Sequence, residues 1–347
     1  NETTQTVHVS CLRTQANIKG IDAQEFPLVP DPDKENQIRL EADVFKQMIN
    51  QVSFAAASDD ARPTLTGVST TFDGSQVLMA ATDGFRLSLR SAHIPGYVEE
   101  VILASEEGEG YIDPDTPAVP GIYEAAATVV GTGLHALEQI MQNKIKKAFI
   151  PIGGLHHAYR HKAAGFCVFN DCGVVIETLR EVYGIKRVAY IDIDAHHGDG
   201  VFYSFEYDPD LCFVDVHQDG RHLYPGTGYS WETGKGGAEG TKLNIPMEKE
   251  SDDAAFLEIW PGAENFIAHA QPEFILLQCG ADSLKGDPIT NLHYSEKTHA
   301  YVTQRLCKLA EKYSEGRLLA WGGGGYNLEN IAKAWNAVVL EMIKSGV

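Results

Sequence analysis

Three aspartates and two histidines lie within ten residues in the segment 191–200, IDIDAHHGDG. The segment follows RVAY, an apolar run typical of a buried strand, so the polar cluster is predicted at that strand's C-terminal end. No lysine or arginine occurs within the segment. Because burying uncompensated negative charge is costly, a bound cation is the simplest remedy, and Asp194 and His196 supply a carboxylate and an imidazole for it. The alternative is a solvated acidic turn with incidental histidines.

Four other apolar runs also lead into polar side chains. From residue 122 onward these runs alternate with helical patterns, which predicts a parallel sheet covered by helices on both faces. Ligands bind such sheets beyond the carboxyl ends of the strands, so the polar side chains are expected to meet there. They are His156 and His157 after KKAFIPI, His217 after LCFVDV, Asp282 after FILLQCG, and Tyr326 after RLLAW and four glycines.

Asp194, His196 and Asp282 are predicted to form the metal site. Three protein ligands leave a position open for water or substrate, as catalytic zinc requires. Two carboxylates and one imidazole also suit Fe(II), Mn(II) or Co(II). A metal there would polarise a carbonyl and lower the pKa of water. His156 and His157 would serve as general base and acid.

The remaining polar residues supply the supporting roles. Each catalytic histidine needs a carboxylate on its other ring nitrogen, and Asp192 and Asp199 are available. Tyr326, after its glycines, can donate to a developing oxyanion. The predicted reaction is metal-assisted hydrolysis of an amide.

The composition excludes some classes of function. The 347 residues are 44% hydrophobic and 22% charged, which is typical of a soluble globular chain. A net charge of -20 disfavours nucleic-acid or anionic-membrane binding and fits a cationic substrate. The six cysteines lack paired metal-site spacing, which predicts reduced thiols and a cytoplasmic location. No apolar run is long enough to span a membrane.

Residues 1–100 show a different pattern of predicted helices and strands. A helical pattern over 40–57 precedes three short alternating runs, and the turns FDGS and TDGF between them contain Asp-Gly. This predicts a small α+β segment. The phrases ANIKGIDAQEFPLVP (16–30), RLEADVFKQMINQVSFAAASDDARPTLTGV (39–68) and MAATDGFRLSLR (79–90) resemble the bacterial DNA polymerase III β subunit, the sliding clamp. With eight Lys plus Arg against fourteen Asp plus Glu, contact with DNA through this segment is not expected.

The later motifs carry a second resemblance. They are GGLHHAYRHKAAGFCVFND (153–171), YIDIDAHHGDGV (190–201), YPGTG (224–228), LQCGADSLKGDP (277–288) and GGGGYN (322–327). Together they resemble the histone deacetylase superfamily, which includes bacterial acetoin-utilisation and acetylpolyamine deacetylases. The resemblance begins at about Glu106 and implies the arginase–deacetylase fold, an α/β parallel sheet with helices on both faces.

The resemblance also implies residue roles. It identifies Asp194, His196 and Asp282 with the zinc ligands, His156 and His157 with the tandem histidines, Asp192 and Asp199 with their carboxylates, and Tyr326 with the oxyanion tyrosine. Residues implied to contact substrate are Phe166 and Tyr224 as aromatic tunnel walls, Asp115 as a rim aspartate, Gly154 and Ile289. A structural K⁺ is implied beside the zinc, at Asp192, Asp194, His196, Asp215 and Val216.

These expectations divide the chain into a clamp-like segment, 1–100, and a deacetylase-like catalytic domain, 101–347, lacking the family's usual N-terminal part. Three functions stay open: a zinc-dependent deacetylase, an inactive deacetylase-like binding protein, and a natural fusion or chimera with a clamp-derived interaction module. An acetyl-lysine peptide and a small acetylated amine such as an acetylpolyamine both suit a narrow tunnel. The oligomeric state is open.

Overall fold

The computed structural model describes residues 6–11, 14–20, 42–58, 62–73, 76–93 and 96–346. They belong to two compact units, Asn1–Ile94 and Pro95–Val347. The predicted division between residues 100 and 101 falls inside a helix of the second unit, Tyr97–Glu107. The two compact units therefore divide before that helix, and the assignment of residues 1–100 and 101–347 to separate domains stays a prediction.

The described residues of the first unit form a hairpin, one α-helix, two short 3₁₀ turns and a three-stranded antiparallel meander. The α-helix and strands are β1 (Thr6–Cys11), β2 (Thr14–Lys19), α1 (Ala42–Val52), β3 (Ser69–Asp73), β4 (Gln76–Thr82) and β5 (Leu87–His93). The predicted order of one helix followed by three short strands is therefore observed.

The helix packs on one face of the meander. Met48 and Val52 of α1 contact Val77 and Met79 of β4, whose buried positions alternate as a half-buried strand requires. In the predicted TDGF turn, Asp83 Oδ1 accepts hydrogen bonds from two backbone N–H groups. Part of the FDGS turn, at 74–75, and parts of the clamp-like phrases, at 21–30, 39–41 and 59–61, lie outside the described residues.

The second unit is built on six parallel strands. Its elements are α2 (Tyr97–Glu107), β6 (Tyr111–Asp113), β7 (Thr116–Pro117), α3 (Ile122–Met141), β8 (Lys147–Ile150), α4 (Asp171–Glu181), β9 (Val188–Asp192), α5 (Asp199–Ser204), β10 (Leu211–Gln218), β11 (Lys242–Met247), α6 (Asp253–Ala270), β12 (Phe274–Gln278), α7 (Glu296–Tyr313), β13 (Leu318–Trp321) and α8 (Leu328–Lys344). The sheet order is β11-β10-β9-β12-β13-β8, and β6 pairs with β7 in a separate short hairpin. Among the described helices, none is both long and apolar enough to cross a membrane.

The central strands are buried at every position and mostly apolar because both faces of the sheet are covered. In β9, Ala189 and Ile191 belong to a core that contains residues of α6, α7 and α8. Val188 and Tyr190 point to the opposite core, which contains residues of α3, α4 and α5. The predicted α/β parallel sheet with helices on both faces is confirmed.

The carboxyl ends of β9, β12 and β13 are level with one another, and β10 continues past them to Gln218. Asp192 at the end of β9 is in register with Asp215 of β10 and with Gln278 of β12. Gln278 is in turn paired with Trp321 of β13. The loops that leave these strands therefore start side by side, which brings their polar side chains to one edge of the sheet.

Candidate metal centre and active site

Asp194, His196 and Asp282 meet at this edge. The first two lie in the loop after β9, and Asp282 lies in a single 3₁₀ turn after β12. Nδ1 of His196 is 3.1 Å from Asp194 Oδ1 and 3.0 Å from Asp282 Oδ2. One ligand atom from each residue lies within 4.8 Å of the others, and all three side chains are buried.

Two glycines give the backbone room to approach these carboxylates. A Cβ at Gly280 would lie 2.0 Å from Asp194 Oδ2, and one at Gly324 would lie 2.3 Å from Asp282 Oδ2. The N–H of Gly324 also donates to Asp194 Oδ2 at 2.9 Å. Only glycine at these two positions therefore lets the backbone approach the carboxylates this closely.

The electrostatics of the cluster favour a cation. Burial and the neighbouring carboxylate of Asp194 raise the pKa of Asp282 to about 7. Burial opposes a charged His196, but Asp282 and Asp194 raise its pKa to about 10. Two buried carboxylates thus share one imidazole, and none of the ion pairs among the described residues joins either carboxylate to a lysine or arginine. The donor set fits a divalent metal with nitrogen and oxygen ligands.

The tandem histidines lie beside this cluster and face each other. Their Nε2 atoms are 3.1 Å apart. Nδ1 of His156 lies 2.7 Å from Asp192 Oδ2, and Nδ1 of His157 lies 2.6 Å from Asp199 Oδ1. Because an ionised carboxylate only accepts, both Nδ1 atoms are assigned as donors, which leaves the Nε2 atoms for proton exchange.

The two histidines differ in charge. Burial opposes protonation of His156, but the carboxylates of Asp192 and Asp194 raise its pKa to about 10. Burial and the positive charge of His156 lower the pKa of His157. At neutral pH these shifts favour a cationic His156, which carries a proton on Nε2, and a neutral His157, whose Nε2 can accept one.

Four residues that hydrogen-bond to the predicted site residues or to the backbone beside them were missed from the sequence. Tyr190 donates to Asp192 and Tyr159 donates to Asp199. Gln278 Nε2 donates to Asp194 Oδ2 and to the Gly154 carbonyl, and Asp171 accepts from the N–H groups of Gly154 and Leu155. Gln278 and Tyr190 stand out as polar groups inside apolar strand runs, which is a signal the sequence offers. Tyr159 and Asp171 do not lie in apolar runs, so the sequence offers no such signal for them.

A cavity of about 110 Å³ opens onto the metal cluster. Its lining includes both histidines, the three candidate ligands, Gly154, Phe166 and Tyr326, so the structure brings most of the predicted residues together. Tyr224 contacts His157 edge to face, with ring centroids 5.0 Å apart. Gly154 has φ +81°, and a Cβ there would lie 3.0 Å from Trp321 and 3.1 Å from the Gly323 nitrogen, which accounts for the glycine.

Two predicted substrate residues do not line this cavity. Asp115 lies in the exposed turn between β6 and β7, where its N–H donates to Asp113. Ile289 is 44% exposed, and its N–H donates to Asp287. Contact of either residue with substrate stays a prediction.

The predicted potassium residues lie on the β9 and β10 side of the cluster. Asp215 Oδ2 accepts from the N–H of Gly198, and its Oδ1 lies 2.6 Å from Nδ1 of His217. Asp192 Oδ1 accepts from the N–H of Asp194, and Val216 is fully buried in β10. Both carboxylates are therefore engaged by protein donors, and the potassium site stays a prediction.

Comparison with known proteins decides the family. The family model for the histone deacetylase domain matches residues 68–342. This chain belongs to the histone deacetylase family. The acetoin utilization protein AcuC of Bacillus subtilis (strain 168) is 37% identical over 290 residues, which cover 78% of this chain and 75% of that protein. AcuC of Staphylococcus aureus (strain MSSA476) is 33% identical over 261 residues, covering 72% of this chain and 67% of that protein.

A solved structure supports the fold of this histone deacetylase family member. The crystal structure of the HDA15 HD domain aligns with a TM-score of 0.66 and 27% identity, covering 72% of this chain and 71% of that one. The family match begins before Glu106, where the motif resemblance begins. It therefore includes α2, whose Tyr97 donates to the Val168 carbonyl and packs its ring against Phe169.

Proposed function

We propose that this deacetylase-family chain is a zinc-dependent amidohydrolase that removes an acetyl group from an amine. The observation that carries the proposal is the meeting, around one cavity, of a two-carboxylate, one-imidazole cluster with two carboxylate-bound histidines and a tyrosine. The ligand cluster, the histidine pair and the tyrosine each have a separate role in amide hydrolysis, and no simpler function needs all three groups.

Asp194, His196 and Asp282 would hold the metal. The chemistry a divalent ion supplies there is that of a Lewis acid, which polarises a carbonyl and lowers the pKa of water. We propose Zn²⁺, with Fe²⁺, Mn²⁺ and Co²⁺ as the other ions this donor set accepts. A structural K⁺ at Asp192, Asp194, His196, Asp215 and Val216 is part of the same proposal.

The histidines and the tyrosine would move the protons. His157, neutral at Nε2, would accept the proton of the attacking water. His156, cationic at Nε2, would give its proton to the nitrogen of the departing amine, and the proton taken up by His157 would then cross the 3.1 Å between the two Nε2 atoms to restore His156. Burial and the charges of Asp194 and Asp282 raise the pKa of Tyr326, so its hydroxyl stays protonated and can donate to the developing oxyanion.

The proposed substrate is an acetyl-lysine peptide or a small acetylated amine. Phe166 and Tyr224 are 62% and 42% exposed and would pack against the aliphatic stem of such a substrate, and contacts from the exposed Ile289 and Asp115 are part of the same proposal. A net charge of -20 favours a cationic molecule. A cytoplasmic location is consistent with the five buried, unpaired cysteines of the described residues.

The test is a deacetylation panel on the purified full chain. Acetyl-lysine peptide and an acetylated polyamine are incubated with the chain after chelation and after addition of Zn²⁺, and released acetate is measured. We expect acetate from at least one substrate, only with metal. His157→Ala should abolish release, whereas His135→Ala, which removes an exposed histidine of α3, should not. A folded, metal-loaded chain that releases no acetate from either class would refute the proposal.

The resemblance of residues 1–100 to the sliding clamp stays a separate prediction. It rests on the matching phrases alone. The comparisons give it no support, and the histone deacetylase family model begins at residue 68, within this segment. The excess of acidic over basic residues there gives no basis for proposing contact with DNA.

A further inference from the structure

One contact behind the tandem histidines has no part in the proposed chemistry. Asp199 uses Oδ1 for His157, and its Oδ2 accepts a hydrogen bond of 2.8 Å from the hydroxyl of Tyr159. Asp199 is buried, so its hydrogen bonds to His157 and Tyr159 fix the orientation of its carboxylate. Tyr159 is half-buried and does not line the cavity around the metal cluster.

We infer that Tyr159 is a positioning residue for His157, acting through Asp199; the inference rests on the proposed function of His157 as the base. Burial and the charge of Asp199 raise the pKa of Tyr159, so the hydroxyl is always a donor. With Oδ2 occupied, Asp199 presents Oδ1 to His157. That contact keeps the proton of His157 on Nδ1 and the lone pair of Nε2 toward the cavity.

Several contacts fix the position of Tyr159. Its backbone N–H donates to the Lys162 carbonyl, and Lys162 Nζ lies 4.3 Å from the ring centroid. The ring of Tyr203 lies nearly parallel, at 7° and 6.3 Å between centroids. A hydroxyl on a ring fixed in this way can impose an orientation on Asp199, because moving it would break the contacts of the ring.

Tyr203 provides a matched control. It belongs to the same stacked pair, but its hydroxyl donates to Glu232, whose other oxygen accepts from the N–H groups of Gly228 and Tyr229. Removing the Tyr203 hydroxyl therefore perturbs the same pair of rings without touching Asp199. A difference between the two phenylalanine variants isolates the contact with Asp199.

The experiment compares Tyr159→Phe and Tyr203→Phe in the full, Zn²⁺-loaded chain. Removing a hydrogen-bond partner behind a ligand or catalytic group commonly lowers activity about 10- to 100-fold. We expect a loss of that size in kcat for Tyr159→Phe with KM unchanged, because Tyr159 does not contact the cavity. Zinc content should stay equal to that of the wild type, and Tyr203→Phe should leave kcat unchanged.

A second measurement does not depend on turnover. The Nδ1–H protons of His156 and His157, both bound to carboxylates, are followed as downfield resonances in ¹H–¹⁵N spectra and assigned by loss of a resonance in His157→Gln. Tyr159→Phe should shift the His157 resonance and leave that of His156 in place, and Tyr203→Phe should shift neither.

The outcomes separate this inference from the proposed function. If the wild type releases no acetate, the proposed function fails, and the resonance alone decides the role of Tyr159. If the wild type is active, an unchanged kcat in Tyr159→Phe overturns the inference. So does an unmoved His157 resonance, or an equal loss of kcat in Tyr203→Phe, which would indicate general damage to the packing.

Discussion

Replacing Gly324 by alanine should remove the metal and leave the fold in place. Gly324 follows β13 and is not among the glycines with a left-handed backbone, so alanine fits its conformation. The added Cβ, however, lies 2.3 Å from Asp282 Oδ2 and 2.9 Å from Asp194 Oδ2. It would occupy the space between two of the three candidate ligands.

The size of the effect follows from these distances. A carbon and an oxygen rest no closer than about 3.3 Å apart, so the Asp282 oxygen must move by about 1 Å. Metal–ligand distances vary by only about 0.2 Å, so the displaced carboxylate can no longer bind. Removing a group that only hydrogen-bonds to a metal ligand already weakens metal binding by about 10- to 100-fold. We therefore expect a loss of at least about 100-fold in Zn²⁺ affinity, which corresponds to about 2.8 kcal/mol.

The assay is competition with a chromophoric chelator, with metal content after dialysis measured in parallel and folding followed by circular dichroism. Gly131→Ala in α3 is the control, because nothing lies within 4 Å of its Cβ and alanine favours a helix. A folded Gly324→Ala chain that binds Zn²⁺ as tightly as the Gly131→Ala chain would show that these carboxylates are not the ligands.

Three further predictions concern the same site. Tyr326→Phe should lower kcat by about 100- to 1,000-fold, the usual effect of removing an oxyanion donor, with little change in the thermal midpoint because the side chain is 45% exposed; retained turnover would exclude this role. Chelation should abolish acetate release and lower the thermal midpoint, and Zn²⁺ should restore both, since a ligand bound only by the folded state stabilises it; activity that survives complete metal removal would contradict this. Because burial and the charge of His156 lower the pKa of His157 in the folded chain, His157 stays neutral at pH values where a free histidine is protonated. The acid limb of kcat/KM should therefore lie below pH 6.5, and a limb above that value would count against His157 as the base.

The meeting of Asp194, His196 and Asp282 was predictable because a parallel sheet brings the ends of its strands to one edge. The apolar runs before Asp194 and Asp282 are strands covered on both faces, and strands of that kind end level with their neighbours. The sequence places a polar residue after each run, so the topology alone brings them together. Nothing about the local conformation of the loops was needed for that step.

Contacts that depend on the path of a loop were not predictable. Tyr159 reaches Asp199 across 40 residues, and Gly324 reaches Asp194 across 130. Both contacts depend on turns whose geometry is fixed by packing in the folded chain rather than by their own residue types. The same reasoning explains why Asp115 and Ile289, assigned to the substrate by resemblance, lie outside the cavity lining.

The distribution of charge also explains why the site lies at this edge. Asp192, Asp194, Asp215 and Asp282 are all buried there, and the described ion pairs of these carboxylates are with histidines only. Elsewhere the buried strand residues are mostly apolar. Buried ionic groups of this kind contribute little to stability compared with apolar packing, and the carboxylates also repel one another. Four buried carboxylates at one edge of an otherwise apolar sheet lower the stability of the fold there. Such a local loss of stability is expected where a functional site needs the charge. A divalent cation beside the histidines would compensate that charge, and we therefore expect metal binding and the stability of this edge to be coupled.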